Sequence, residues 1–294
     1  MQVVAIAGVG LIGGSFALAL RKAGFGGRII GVSSPATIQE ALRLGVIDEA
    51  LPLEEAAARS DLIYLSQPIL RILDTIRRLD AVVRPGALIT DAGSTKGEIV
   101  RCASEHIRRA RFLGGHPMAG KESRGVAEAE ADLFRDRTYV LTPAAPADLE
   151  SAAATELVDW IRRIGARPLV LDPDHHDRVV AFTSHLPQLV STALAATLAG
   201  QTQLDALEQV AGPGLRDTTR LALSPFDIWR DILVTNREPI RQALAAYLEK
   251  LEAVRTKLGE DLEPDFQAGA EFAGRLRERQ ASPPPDFEKG GASR

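Results

Sequence analysis

Three features of this chain are spaced to do chemistry: a glycine loop, histidines set beside turns, and an arginine one helical turn from an aspartate. Gly8-Val9-Gly10-Leu11-Ile12-Gly13 follows an apolar run and opens a helical pattern. In that setting Gly8 allows a tight turn, Gly10 lets the backbone approach a pyrophosphate, and Gly13 lets helix and strand pack closely. A pyrophosphate then sits on the unpaired N–H groups of the helix N-terminus, where the dipole favours negative charge. The bland alternative is a turn without a ligand, but the strand-loop-helix context favours a dinucleotide site made by Gly8, Gly10, Leu11, Ile12 and Gly13. The second strand of such a fold usually ends in an acid that binds the adenosine ribose. Here Ser33 and Ser34 follow Val32 instead, with no neighbouring arginine. Either NAD or NADP is therefore expected, with NADP used at least comparably.

His116 lies in Gly114-Gly115-His116-Pro117, after a predicted strand and near the carboxyl edge of the expected sheet. An imidazole suits general-base work near neutral pH, and the alternative is a histidine that stabilises the turn. Ser94 faces the same edge, and Thr95 with Glu98 predicts a capping box that leaves Ser94 free. Lys96 is ambiguous and fits a solvated helix position. His185 stands just before Pro187, where a proline kinks a helix or frees a carbonyl. Asp217 and Arg220 share a helix face, and the planar guanidinium suits a carboxylate; the alternative is a surface ion pair. In Asp174-His175-His176-Asp177, neighbours on a helix diverge by about 100°, so no metal is expected there. The run from Arg101 to Arg111 reads as a solvated face.

The elements that must position these residues form two patterns. Val3 to Ala7, Arg28 to Val32, Leu62 to Leu65, Ala87 to Thr90 and Tyr139 to Leu141 read as strands, separated by helical runs such as Ile69 to Leu79. A helix from Leu149 to Ile164 and a strand from Pro168 to Leu171 complete an α/β Rossmann domain, mainly parallel and doubly wound, over residues 1–171. Asp172-Pro173 then predicts an N-cap with proline at the first helical position. From 172 to 280 the period is helical, with apolar stripes such as Leu189, Ala193, Ala196 and Ile240, Leu244, Tyr247, Leu251. Such stripes predict an all-α domain that pairs with a second copy, giving a homodimer. Residues 281–294, with three consecutive prolines, read as a disordered tail.

The bulk numbers limit the partners. With 294 residues, 45% hydrophobic and 25% charged, the chain is an ordinary globular protein long enough for two cores. A formal charge of −4 argues against nucleic acid. One cysteine, Cys102, cannot form an internal disulfide, and Met1 to Leu20 lacks a basic start and is broken by glycines. A cytoplasmic protein without a membrane partner is expected.

Gly8 to Ser15, Asp91 to Lys96, Gly114 to Gly120 and Ser184-His185-Leu186-Pro187 resemble, in order and spacing, the prephenate/arogenate dehydrogenases of tyrosine biosynthesis. Gly214 to Arg220 is similar to that family's substrate-binding arginine motif. The likeness runs from residue 2 to about residue 260, without a fused chorismate mutase or a regulatory domain. It implies an NAD(P)-dependent oxidative decarboxylation of prephenate, with arogenate as the alternative. It also implies His116 as catalytic base, and Ser94 hydrogen-bonded to the substrate hydroxyl, to His116 and toward the nicotinamide. By the same resemblance His185 faces substrate, Arg220 anchors carboxylate, and Asp217 and Glu122 orient that arginine or latch the domains. Trp229 matches a position that reaches toward the neighbouring subunit's site. A β-hydroxyacid-type dehydrogenase and a sensor that binds cofactor without turnover are the rivals.

Overall fold

The computed structural model describes residues 1–121 and 123–281. Glu122 and the expected tail from Ser282 onward lie outside the described residues. The sheet contains β1 (Val3–Ala7), β2 (Arg28–Val32), β3 (Glu49–Ala50), β4 (Leu62–Leu65), β5 (Leu88–Asp91), β6 (Arg111–Pro117), β7 (Thr138–Thr142) and β8 (Arg167–Val170). Their order is β3-β2-β1-β4-β5-β6-β7-β8. All neighbours are parallel except β6 and β7, which pair antiparallel through His116 and Val140. The central strands are continuous apolar runs because helices cover both faces; every residue of β4 is buried.

The covering helices are α1 (Leu11–Lys22), α2 (Pro35–Arg43), α3 (Leu53–Arg59), α4 (Ile69–Leu79), α5 (Gly97–His106) and α6 (Ala152–Arg163). In α4, Ile69, Ile72, Leu73, Ile76 and Leu79 recur at helical spacing and are buried, while Arg71, Arg77 and Arg78 stay outside. The expected strands and the helix from Leu149 appear with small shifts at their ends. The sequence reading missed β3 and β6. The second miss has a clear cause: Gly114, Gly115 and Pro117 have low strand propensity. They belong in β6 because a side chain at Gly114 would collide with Thr142 Oγ1, and one at Gly115 would lie 2.6 Å from the Asp91 carbonyl.

Beyond β8 come α7 (Pro173–Val180), α8 (Leu186–Ala199), α9 (Leu204–Val210), α10 (Pro213–Thr219), α11 (Phe226–Thr235), α12 (Arg237–Thr256) and α13 (Glu263–Ala281). Asp172 caps α7 as expected, its carboxylate accepting from His175 N at 2.9 Å. Ala181–His185 joins α7 to α8 as a π-type turn. Pro187 accounts for it: the ring has no N–H to give to the preceding turn, and a π bulge is one way to absorb the lost bond.

The chain divides into two compact units, Met1–Ile240 and Arg241–Arg294. The first joins the sheet to α7 through α11. In the second, Lys250 Nζ reaches Asp265 Oδ1 at 2.7 Å, and Leu248, Leu251, Phe266, Phe272 and Leu276 are exposed. By length and composition Pro173–Ala199 could cross a membrane. Yet His185 and Gln188 within that run are buried and hydrogen-bonded to Asn236 and Leu221, as a packed helix of a folded domain would be.

Candidate active site

The glycine loop connects β1 to α1 at the centre of the sheet. Gly8 has φ 98°, a left-handed conformation, and a side chain there would come within 2.6 Å of the Ser66 carbonyl. A side chain at Gly13 would strike Gly8 O and Ser66 Oγ. In front of Gly10 there is nothing within 4 Å. Gly10 is also the N-cap of α1, with no side chain capping the helix and no acid in its first turn. Open space before uncapped N–H groups fits a dinucleotide pyrophosphate. At the end of β2, Ser33 is exposed, while Ser34 caps α2 by accepting from Thr37 N at 3.4 Å.

A second set of residues converges at the carboxyl ends of β5 and β6. His116, 9% exposed, is in β6 itself rather than in the loop expected from its glycines. Its backbone is held through the residue before it. Gly115 N donates to Asp91 Oδ1 at 3.2 Å, and Gly115 O accepts from Lys96 Nζ at 2.8 Å. Asp91 and Lys96 form an ion pair with both side chains fully buried. Lys96 is therefore not a solvated helix residue. Burial pushes its ammonium below the usual lysine range, against the pull of Asp91 and Asp177.

The imidazole of His116 enters a chain of hydrogen bonds. Its Nδ1 is 2.9 Å from His176 Nε2, and His176 Nδ1 is 2.8 Å from Asp177 Oδ1. Asp177 also accepts the N–H groups of Lys96 at 2.7 Å and Gly97 at 2.8 Å. It thus caps α5, in place of the capping box expected from Thr95 and Glu98. Thr95 Oγ1 instead meets Thr235 Oγ1 at 2.8 Å. The partners dictate the tautomers. A carboxylate accepts, so His176 presents Nδ1–H to Asp177; with that single proton on the ring, its Nε2 accepts from His116 Nδ1–H. His116 Nε2 is left bare. Burial first, then His176, Lys96 and His185, holds this imidazole well below the ordinary histidine range.

His116 lines a cavity of about 330 Å³, together with Ser94 and Pro117 to Gly120 from the sheet domain and Ser184, Ile228, Trp229 and Ile232 from the helices that follow it. His185 is 1% exposed and lies behind this wall, not in it. Its Nδ1 accepts from Asn236 Nδ2 at 3.1 Å, its ring meets Trp229 edge-on at 5.9 Å, and burial depresses it to about 4. Trp229 lines the cavity, with Nε1 donating to Ser224 Oγ at 2.9 Å. Arg220 and Asp217 are exposed and outside the lining residues; Arg220 opens the 3-10 turn after α10. That turn is held by Gln188 Nε2 donating to Leu221 O at 2.8 Å and by Ala222 N donating to Ser191 Oγ at 3.1 Å.

His176 and Asp177 were missed because adjacent helical side chains are expected to diverge. Here distant partners, His116 and the start of α5, draw them together. A faint signal existed: histidine and aspartate in the first turns of a helix entered through an aspartate cap. Asp231 was also missed; its carboxylate accepts from Leu70 N at 3.1 Å, at the start of α4.

The profile "Prephenate dehydrogenase, nucleotide-binding domain" matches residues 16–169, and "Prephenate dehydrogenase, dimerization domain" matches residues 172–271. The chain belongs to the prephenate dehydrogenase family. It is accordingly an NAD(P)-dependent oxidoreductase of tyrosine biosynthesis. It is 33% identical to the prephenate dehydrogenase of Bacillus subtilis over 97% of this chain and 78% of that one. The structure of Aquifex aeolicus prephenate dehydrogenase with hydroxyphenyl propionate and NAD+ superposes with a TM-score of 0.80 at 31% identity, covering 96% of each chain. Synechocystis arogenate dehydrogenase gives a TM-score of 0.77 at 30% identity, covering 95% of this chain and 99% of that one.

Proposed function

We propose that this family member oxidatively decarboxylates prephenate to 4-hydroxyphenylpyruvate, with His116 as the base. The observation that carries this is His116 itself, held through Nδ1 by His176 at 2.9 Å while it lines a cavity shared with Ser94, an arrangement that leaves Nε2 as the acceptor for a substrate proton. Removing the ring hydroxyl proton as hydride leaves the same carbon gives a dienone, and loss of CO2 then restores aromaticity. A neutral imidazole with one nitrogen occupied and the other free suits the proton step. Ser94 hydrogen-bonds the same hydroxyl, and Trp229, Ile228 and Ile232 offer an apolar wall for the ring. The family likeness supports Arg220, one helical turn from Asp217, as the anchor for a substrate carboxylate, and His185 supports the wall from behind.

Gly8, Gly10, Leu11, Ile12 and Gly13 would hold the dinucleotide, whose nicotinamide accepts the hydride when bound. Ser33, and Ser34 beside it, leave space for a 2′-phosphate, so NADP is used at least comparably to NAD. The helical region, with Phe182, Val210, Leu223, Phe226 and Val234 exposed in the single chain, forms a homodimer. The buried, unpaired Cys102 accords with a cytoplasmic location. Arogenate differs only in carrying an amino group in place of the side-chain keto group, so it is the second candidate. Initial rates with prephenate and with arogenate, each with NAD and NADP, test the reading. Prephenate-dependent cofactor reduction is expected, and no reduction with either substrate would sink it.

A further inference from the structure

The hydrogen-bond chain that sets the His116 tautomer is longer than orientation alone requires. His176 is fully buried, meets His116 edge to face with ring centroids 5.1 Å apart, and leans on Asp177 through Nδ1. Around the pair, the β5–α5 junction contributes Lys96 and Asp91, and the π turn contributes His185. Asp174 and Arg101 flank Gly97, lying 2.9 Å and 3.9 Å from where a side chain there would begin. Positive charge on His116 is opposed by desolvation and by the Lys96 ammonium. On His176 the same charge would touch a carboxylate at 2.8 Å.

We propose that the proton taken from the substrate passes through His116 and rests on His176, as an imidazolium paired with Asp177, until the product reclaims it. This rests on the reading of His116 as base. As the carbinol C–H electron pair leaves as hydride to the nicotinamide, the hydroxyl O–H bond breaks and a proton joins His116 Nε2. The Nδ1–H bond of His116 breaks and that proton joins His176 Nε2. His116 is neutral before and after, with its tautomer exchanged; Asp177 keeps its charge. Decarboxylation of the dienone sends the C–C electron pair into the ring, leaving a phenolate. The two transfers then run backwards: the phenolate takes the proton from His116 Nε2, and His176 returns one to Nδ1. No net proton is consumed, as hydride loss and CO2 loss together require. His176 is thus a positioning and proton-holding residue for a base that would otherwise have to carry the charge beside Lys96.

Two measurements test this. The first is ¹⁵N-histidine NMR of the unliganded protein. It should show His116 protonated on Nδ1 alone, and on acidification the added proton should appear on His176 while His116 stays neutral. An imidazolium forming first on His116 would overturn the proposal. The second is the variant His176→Gln, whose carbonyl can still accept from His116 Nδ1–H but cannot hold a proton. Its kcat should fall about 10²-fold with KM changed less than about twofold. The acid limb of its kcat/KM profile should move to lower pH, because His116 is then the group left to titrate. Unchanged kcat, or a fall with the acid limb unmoved, would reduce His176 to a packing role and overturn the relay. Should His176→Gln fail to fold, the wild-type NMR decides. Lack of wild-type turnover with prephenate and arogenate would instead overturn the functional reading itself, so the two failures are distinguishable.

Discussion

The two ends of the site are built by opposite means. At the glycine loop the working parts are backbone: a left-handed Gly8, an absent side chain at Gly13, and free N–H groups behind Gly10. Everything needed lies within six consecutive residues. At His116 the working parts are side chains brought from β5, β6, the start of α5 and α7, with Asp91, Lys96, His116, His176 and Asp177 all buried. A backbone site tolerates change in its surroundings but not in its glycines. A buried polar cluster couples each member to the others, since an unpaired group in low dielectric is costly. Substitutions at the two ends should therefore fail differently.

The largest effect is expected at the base. His116→Asn keeps an N–H that can donate to His176 Nε2, so the fold and cofactor affinity should survive. kcat should fall by about 10² to 10⁴, the size of a general-base contribution. Stopped-flow and steady-state rates with prephenate measure it, and wild-type turnover would remove His116 from the chemistry.

Lys96→Met should act on stability. It leaves Asp91 buried with only the Gly93 and Gly115 amides for partners. Breaking a buried pair by removing one member costs about 3–5 kcal/mol. Denaturant unfolding reads the loss, and adding Asp91→Asn should recover part of it. An unaltered midpoint would mean that the pair is not holding the end of β6.

That expectation marks how far the sequence could be read. The Rossmann half was legible because apolar runs, glycines and helical spacing are local signals. So were Asp172 as a cap and the turn before Pro187. Lys96 was not: its neighbourhood is set by Asp91 five residues before it and Gly115 nineteen after. The same distance hid His176 and Asp177, and it hid β6, whose glycines look like a loop until the close approach of Thr142 and Asp91 is known.

Acid should weaken the cluster next. His185 is pushed from an ordinary value of 6.5 to about 4. Between those values the unfolded chain binds a proton that the folded chain refuses, so stability rises with pH and is lost as pH falls through that window. The loss attributable to His185 is about 3 kcal/mol. Urea midpoints at pH 7 and pH 4.5 should differ accordingly, and less so in His185→Asn. Equal acid sensitivity in that variant would place the titrating group elsewhere.

At the glycine loop the contrast is between neighbours. Gly13→Ala meets Gly8 O and Ser66 Oγ, so it should lose both stability and cofactor affinity. Gly10→Ala meets nothing within 4 Å, so melting should be unchanged while cofactor KM rises, because the added methyl enters the space proposed for pyrophosphate. If Gly10→Ala binds NAD and NADP normally, the phosphates do not lie there.

The smallest effect should be at Ser33. A carboxylate at the end of β2 accepts from both ribose hydroxyls and repels a 2′-phosphate. Ser33 is exposed, and Ser34 is already committed to capping α2, so the new charge in Ser33→Asp would act mostly through water. Unit charges 4 Å apart then repel by about 1 kcal/mol, roughly a fivefold effect for each phosphate charge. Salt should shrink it further. The ratio of kcat/KM for NADP to that for NAD should therefore fall by about one order of magnitude, more at low ionic strength than at high. kcat with prephenate should not move, because the base lies at the ends of other strands. A ratio indifferent to both the substitution and salt would remove Ser33 from the adenosine pocket. A simultaneous loss of kcat would show instead that the two ends of the site are coupled, which a backbone-built cofactor loop should not be.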